Sequence, residues 1–359
     1  MLPPLLFDPI YKEKIWGGNK LALLLNKDIS PQAKIGESWE ISGFGNDISR
    51  VAEGPLMGTS LNDLFMQHRN ELIGEINSFD TFPLLYKFID AQDQLSVQVH
   101  PNDLQAQSNG WGSFGKTECW YVAHAEPGTQ MIVGFNSPVS SEEIEESVHK
   151  ESLPELLNYV DVRQGDVLFI PAGTVHATLK GAVLFEIQET SDTTFRFYDW
   201  GRNDPNRPLH ITESLGVVDT FFHDRHKIPP VTYNCIKEIS CRYRVACRYF
   251  SMIEYHFDSS AEYVVPSRKS FQVLTVLDGN PRITSEAGQQ YYRKGQNILI
   301  PAACNKTVIS SESGTRIVNT WVPDLRHDVI EPLQQQDVSN EAIRQLGGNP
   351  ERNDLNGLI

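Results

Sequence analysis

Cysteine is scarce and unpatterned in this chain. The 359 residues include five, Cys119, Cys235, Cys241, Cys247 and Cys304, an odd number with no CxxC pair. That argues against a disulfide-stapled scaffold or a thiolate zinc site, and it fits a reducing cytoplasm. No window carries the roughly 18 consecutive apolar residues that a membrane-spanning helix needs. The opening MLPPLLFDPIYKEK has no basic segment ahead of an apolar core and no small-residue cleavage site, so no secretory leader is expected. Positive charge is also short, at a net −15. A nucleic-acid partner would need a basic face, and none is expected. An anionic small ligand would need a local cluster of Lys and Arg against the overall field.

What is present is an ordinary globular composition, 40% hydrophobic and 21% charged, long enough for two or three domains. Strand signals dominate: short β-branched and aromatic runs separated by Gly, Pro, Asn and Asp. Residues 37–41, 83–89, 95–100, 118–123 and 183–189 read this way. Helical periodicity is confined to a few segments. Ser60 caps a predicted helix with Leu61, Leu64, Phe65 and Leu72 on one face. Residues 138–157 read as an acidic helical insertion, with Ile144, Val148, Leu153 and Leu157 apolar. Residues 203–230 read as a connection with a short helix near 212–218. Ser339 caps another helix that Gly347 ends, and the last dozen residues read as frayed.

The most informative stretch is GDVLFIPAGTVH, residues 165–176. An apolar strand runs into Pro171, turns on Gly173 and delivers His176. Pro171 locks φ and Gly173 frees it, so the histidine is presented rigidly. The pattern at Gly165, Pro171, Gly173 and His176 resembles the second motif of the cupin barrels. GQNILIPAACNK, residues 295–306, repeats it in register. Ala303 stands where Gly173 stood and Lys306 where His176 stood. Two copies of one β-fold are expected, the second without a metal ligand.

A lone histidine at a strand end is ordinarily a hydrogen-bonded structural residue, so partners decide its meaning. In LSVQVHPND, residues 95–103, alternation puts Gln98 and His100 on one face. In GKTECWYV, residues 115–122, Lys116, Glu118 and Trp120 share a face, with Cys119 opposite. Polar groups on an inward face are costly unless they meet a metal, a network or water. Gln98, His100, Glu118 and His176 together offer two nitrogens, a carboxylate and an amide oxygen. That set suits a catalytic zinc with room for substrate. It also suits Fe(II) or manganese.

QVHPND, with PLLYKFIDA upstream, resembles the signature of the type I mannose-6-phosphate isomerases. So do FEIQETSDTTFRFYDWGR (185–202), the early WGG (16–18) and GESWEISG (36–43). The resemblance spans roughly residues 5–325 and is nearest the short bacterial form. It implies a mainly β fold of two cupin-like (jelly-roll) β-barrels, a small helical insertion in the first half and a short helical or irregular C-terminal tail. The implied division is 1–230 for the catalytic barrel, with helical segments at about 60–75 and 138–158, then 231–325 for a degenerate barrel without metal, then 326–359 for the tail. It implies one Zn2+ per chain on His100, Glu118 and His176, with Gln98 the less certain fourth. Arg196 falls at the catalytic arginine and Glu186 at the proton-transfer base. Lys87 and Lys116 are candidates for sugar or phosphate oxygens. The implied activity interconverts mannose 6-phosphate and fructose 6-phosphate through a cis-enediol, on a small-molecule sugar phosphate in the cytoplasm. Nothing in the sequence sets an oligomeric state.

The chain departs from larger relatives in its short insertion and in Lys116-Thr117-Glu118, where they carry Lys-Pro-Glu. Another metal-dependent cupin, a different sugar-phosphate isomerase or an oxygenase, is the alternative reading. An oxygenase would more usually carry a His-x-His pair, and Gln98 stands at that position. A non-enzymatic sugar-binding cupin would be expected to lose Arg196 or a ligand, and the first barrel keeps both.

Overall fold

Two strands buried along their whole length set the architecture. In a computed structural model describing residues 2–30, 32–76, 79–202, 204–222 and 226–359, Ala182–Glu189 pairs with Leu84–Ala91 on one side and Glu118–Ala125 on the other. Ala182–Glu189 and Leu84–Ala91 expose nothing, as expected of strands packed on both faces. Val183, Phe185, Ile187, Tyr86, Phe88, Cys119 and Tyr121 face one way, into the largest core, which continues into the second half. Leu184, Ile89, Ala91, Trp120 and Val122 face the other way, into a separate core within the first half. Lys87, Glu118, Glu186 and Gln188 share the parity of that second face.

The first half is a sandwich of two antiparallel sheets. The six-stranded sheet runs Val167–Ile170, Glu118–Ala125, Ala182–Glu189, Leu84–Ala91, Ile35–Ile41, Ile10–Gly18. The five-stranded sheet runs Leu157–Asp161, Gln130–Phe135, His176–Thr178, Val97–Val99, Phe195–Tyr198. The second half repeats this strand order. Its larger sheet runs Asn297–Ile300, Gln272–Asp278, Arg316–Trp321, Ser251–Phe257, Ile239–Ala246, Val231–Ile236, with Leu5–Leu6 added beside Asn297–Ile300. Its smaller sheet pairs Thr307–Ser311 with both Ala261–Val265 and Arg282–Ser285. The fold is thus mainly β and duplicated. Gln272, opposite Ile300, takes the place of Glu118, opposite Ile170, and Lys306 is exposed.

The halves share a continuous interface. Phe82 and Phe271 have ring centroids 4.5 Å apart, and Thr320 Oγ1 donates to the Tyr86 hydroxyl at 3.2 Å. Asn297 Nδ2 donates to Glu40 Oε2 at 3.1 Å, an oxygen that also receives the Lys27 ammonium at 2.5 Å.

The helix capped by Ser60 spans Leu61–Ile73, and the one capped by Ser339 spans Asn340–Gln345. Three expectations need correction. The insertion is not one helix: an α-helix spans Ser141–His149, where Ser140 and Glu143 form a capping box, and a 3-10 turn spans Leu153–Leu156. Glu151 at φ +57° lies between the two, and Leu157 begins a strand. The last dozen residues are packed rather than frayed: Leu355 is fully buried, and Asp354 pairs with Arg248. The apolar side chains of the tail find the main core, which offsets the loss of chain entropy. Finally, Cys235 and Cys241 come together on adjacent strands with Cα atoms 5.7 Å apart, a proximity that cysteine spacing did not reveal. Residues 203 and 223–225 of the expected connection lie outside the described residues. The short helix within it spans Ile211–Val217.

Candidate metal centre

Two rows of side chains converge inside the first sandwich. His176, Gln98 and Arg196 sit directly across from one another on three adjacent strands of the five-stranded sheet. Trp120, Glu186 and Lys87 do the same in the six-stranded sheet. Glu118 lies two residues before Trp120, on the same face.

The Pro171–Gly173 turn carries the chain from one sheet to the other. Gly173 has φ +88°, and an added Cβ would lie 3.1 Å from Val217 O, so the position strongly favours glycine. Its N–H donates to His100 O at 2.8 Å. One backbone bond thus ties together the two segments that carry the imidazoles.

His100, Glu118 and His176 offer ligand atoms that lie within 4.8 Å of one another, all three residues buried. Glu118 Oε1 is 3.3 Å from His176 Nε2, and Glu118 Oε2 is 3.6 Å from His100 Nε2. The Nδ1 atoms point away, at 2.9 Å from Thr193 O for His100 and 2.8 Å from Thr174 O for His176. A carbonyl accepts only, so each Nδ1 carries the proton and each Nε2 presents a lone pair to the cluster. Burial pushes His176 down to about 3, and burial with the charge of Lys116 pushes His100 well below its ordinary value. Both rings are neutral, the form that binds metal. Glu118 Oε1 is buried with no hydrogen-bond partner, an arrangement that needs a cation to compensate it. These observations fit a divalent metal ion. Gln98 Nε2 lies 3.3 Å from His176 Nε2. The Gln98 amide therefore reaches the cluster, with its Nε2 turned toward the His176 lone pair.

The Lys116 ammonium touches the same cluster. It donates to Glu118 Oε2 and lies 3.1 Å from His100 Nε2. It and a metal ion draw on the same lone pairs. Glu186 accepts the Trp120 indole N–H at 2.8 Å through one oxygen and faces Lys87 Nζ at 3.4 Å through the other. Burial first, then the charge of Glu118, raises the Glu186 carboxyl above its ordinary value. Burial opposes the charge of Lys87, but Glu186, Glu37 and Asp192 outweigh it and hold the ammonium firmly protonated.

All eight residues singled out from the sequence come together. Glu118 and the two histidines form the cluster, and Lys87, Gln98, Lys116, Glu186 and Arg196 line the adjoining cavity. Arg196 Nη1 donates to Pro208 O at 3.0 Å, and its buried Nε has no partner. Burial, then the charge of neighbouring Arg207, pushes the Arg196 guanidinium below its ordinary value. Sequence reading missed Lys14, Glu37 and Arg207, which also line the cavity. Strand parity could have found Glu37, whose partner across the sheet, Ile89, also lines the cavity. Arg207 lies in irregular chain, held by Asp199 at 3.0 Å, and no periodicity marks it. Asp199 anchors both Arg207 and Arg202.

Comparison with known proteins agrees with this geometry. Residues 5–112 match the family model described as phosphomannose isomerase type I, catalytic domain. Mannose-6-phosphate isomerase ManA of Bacillus subtilis is 36% identical over 305 residues, 83% of this chain and 93% of that protein. The mannose-6-phosphate isomerase of Streptococcus mutans is 36% identical over 304 residues, 84% of this chain and 93% of that protein. The crystal structure of the mannose 6-phosphate isomerase from Bacillus subtilis superposes with a TM-score of 0.81 at 31% identity, covering 89% of this chain and 99% of that one. The chain belongs to the type I phosphomannose isomerase family.

Proposed function

We propose that this protein interconverts mannose 6-phosphate and fructose 6-phosphate through a cis-enediol, using one zinc ion held by His100, Glu118 and His176 with Gln98 as fourth donor. The observation that carries the reading is the buried His–Glu–His cluster opening onto a cavity that holds a raised carboxyl and several cations. Two neutral imidazoles and one carboxylate leave a net positive site on zinc, with room for substrate oxygen. When bound, the ion supplies Lewis acidity toward the carbonyl and hydroxyl oxygens at C1 and C2.

The chain's own residues supply the rest. Glu186 moves the proton between C2 and C1, and burial makes its carboxylate a stronger base than an exposed one. Trp120 and Lys87 orient that carboxylate through separate oxygens. Lys116 and Lys87 hold sugar oxygens, and each offers a proton donor where negative charge develops on an enediolate oxygen. Arg196 offers a guanidinium with spare hydrogen-bonding capacity, the group suited to a phosphate or a developing oxyanion. Arg207, beside it, adds the local positive charge that an anionic substrate requires of an acidic protein.

In this reading the catalytic unit is residues 1–230. Residues 231–325 form a second barrel that buttresses it, and residues 326–359 strap the two. A sugar phosphate crosses a bilayer poorly because of its charge, so we place the reaction in the cytoplasm.

A coupled assay on mannose 6-phosphate tests the proposal, before chelation, after chelation and after zinc is restored. Activity that chelation removes and zinc returns is the expected result. Activity absent throughout, or untouched by a chelator that has stripped the metal, contradicts it.

A further inference from the structure

Behind the metal centre, the segment that leads into Glu118 is held by two carboxyl groups. Asp103 Oδ1 accepts the Gly115 N–H and Glu189 Oε2 accepts the Thr117 N–H, both at 2.7 Å. These bonds bracket Lys116 and immediately precede Glu118. Asp103 Oδ2 accepts the Tyr249 hydroxyl at 2.8 Å, and Tyr249 comes from the second half of the molecule. Glu189 Oε1 is buried and meets no donor, and the Asp103 carboxyl is a close neighbour whose charge acts on Glu189. Two acceptor-only carboxylates side by side, one buried and one partly exposed, disfavour the state in which both are ionised.

We propose that Glu189 and Asp103 hold one proton between them, Glu189 Oε1–H donating to Asp103, and that this pair is a positioning device for Lys116 and Glu118. The role at Glu118 rests on reading that residue as a metal ligand; the shared proton does not.

The charges around the pair agree. Burial, then the charge of Asp103, raises the Glu189 carboxyl well above its ordinary value. Burial raises Tyr249 and Cys247 too, so both are neutral beside it. The neighbouring cation, Arg248, is committed to Asp354, with Nε 2.7 Å from Oδ1. No cation among these neighbours is left to stabilise a second negative charge. Asp103 is partly exposed and accepts two donors, the Gly115 N–H and the Tyr249 hydroxyl. The tyrosine makes the second half a contributor to the order of the metal site.

Glu189→Gln imitates the protonated acid: its carbonyl accepts from Thr117 and its amide donates to Asp103. A carboxyl whose pKa is raised by folding loses stability as pH climbs from its unfolded value toward its folded one. The Gln side chain escapes that loss. In zinc-loaded protein, the Tm of Glu189→Gln should match wild type near pH 5 and exceed it by a few degrees at about pH 8.5. A Gln variant that falls further below wild type as pH rises would mean an ionised Glu189, and would overturn the shared proton.

Glu189→Leu leaves the Thr117 N–H without its acceptor. It should lose zinc to a chelator at least about tenfold faster, the size seen when groups supporting metal ligands are removed. Its kcat should fall more than its KM changes, and Gln at the same position should restore both. A folded Leu variant with wild-type metal release and kcat would overturn the positioning role. If Leu does not fold, Tyr249→Phe serves, with a smaller acceleration of metal release expected and an unchanged rate contradictory. Thermal and metal-release readouts need no turnover, so they remain decisive even if mannose 6-phosphate is not the substrate.

Discussion

Lys87 Nζ lies 3.4 Å from Glu186 Oε1, the two buried side chains directly opposite each other on paired strands. The ammonium pulls the Glu186 pKa down while burial and Glu118 push it up, and the upward influences prevail. As a base, Glu186 must be ionised. Isomerase activity should therefore fall as pH drops through a value above the ordinary carboxylate range. Lys87→Met removes the opposing charge and should move that acidic limb to still higher pH. Profiles of kcat/KM against pH, with metal content checked at each point, test this; a limb that does not move contradicts it.

Glu186→Gln keeps the shape and the Trp120 bond but removes the carboxylate proposed as the base. Turnover should drop by about 10²–10⁴-fold, and exchange of the C2 hydrogen with solvent should stop. Zinc content should stay at one per chain, because Glu186 is not among the ligands. Proton exchange at the wild-type rate would clear Glu186 of the role.

His100→Ala and His176→Ala each remove an Nε2 donor from the cluster. Zinc affinity should weaken by more than about 100-fold, exceeding the loss typical of supporting residues, and activity should follow metal content. Metal analysis after dialysis against a chelator is the check. Full retention of zinc in either variant contradicts the ligand set.

Much of this site was legible because its residues sit in rigid, patterned chain. Strand alternation correctly grouped Lys116, Glu118 and Trp120 against Cys119, since one face meets the pocket and the other the shared core. The repeat of residues 165–176 at 295–306 reappears as a repeated strand order. Contacts that no local pattern encodes were not legible. Arg207 is placed by a salt bridge to Asp199 in irregular chain. The tail packs through unevenly spaced Leu346 and Leu355. Cys235 and Cys241 meet only because a hairpin brings them together. The single helix expected to reach Leu157 is broken at Glu151, which sits at φ +57°, and resumes only as a 3-10 turn over Leu153–Leu156 before the strand Leu157–Asp161.

Lys116 and the metal draw on the same lone pairs, so Lys116→Met should separate binding from catalysis. Zinc affinity should be equal to or tighter than wild type, while kcat falls with the loss of a donor to substrate oxygens. A variant that loses zinc and activity together would show that Lys116 supports the metal rather than competing with it.

Phe271→Ala tests the shared interface. The ring is fully buried against Phe82 from the other half. Its removal should cost about 3–5 kcal/mol, read as a lower denaturant midpoint. The two halves should still unfold in one transition. A near-neutral change, or two separated transitions, would mean the halves do not support one another.

The account depends most on where the metal sits. Anomalous diffraction from zinc-loaded crystals, collected on both sides of the zinc edge, locates it directly. One peak per chain within bonding distance of His100 Nε2, His176 Nε2 and a Glu118 oxygen is the expected result. A peak elsewhere, or none at that cluster in protein that is active and zinc-replete, contradicts it.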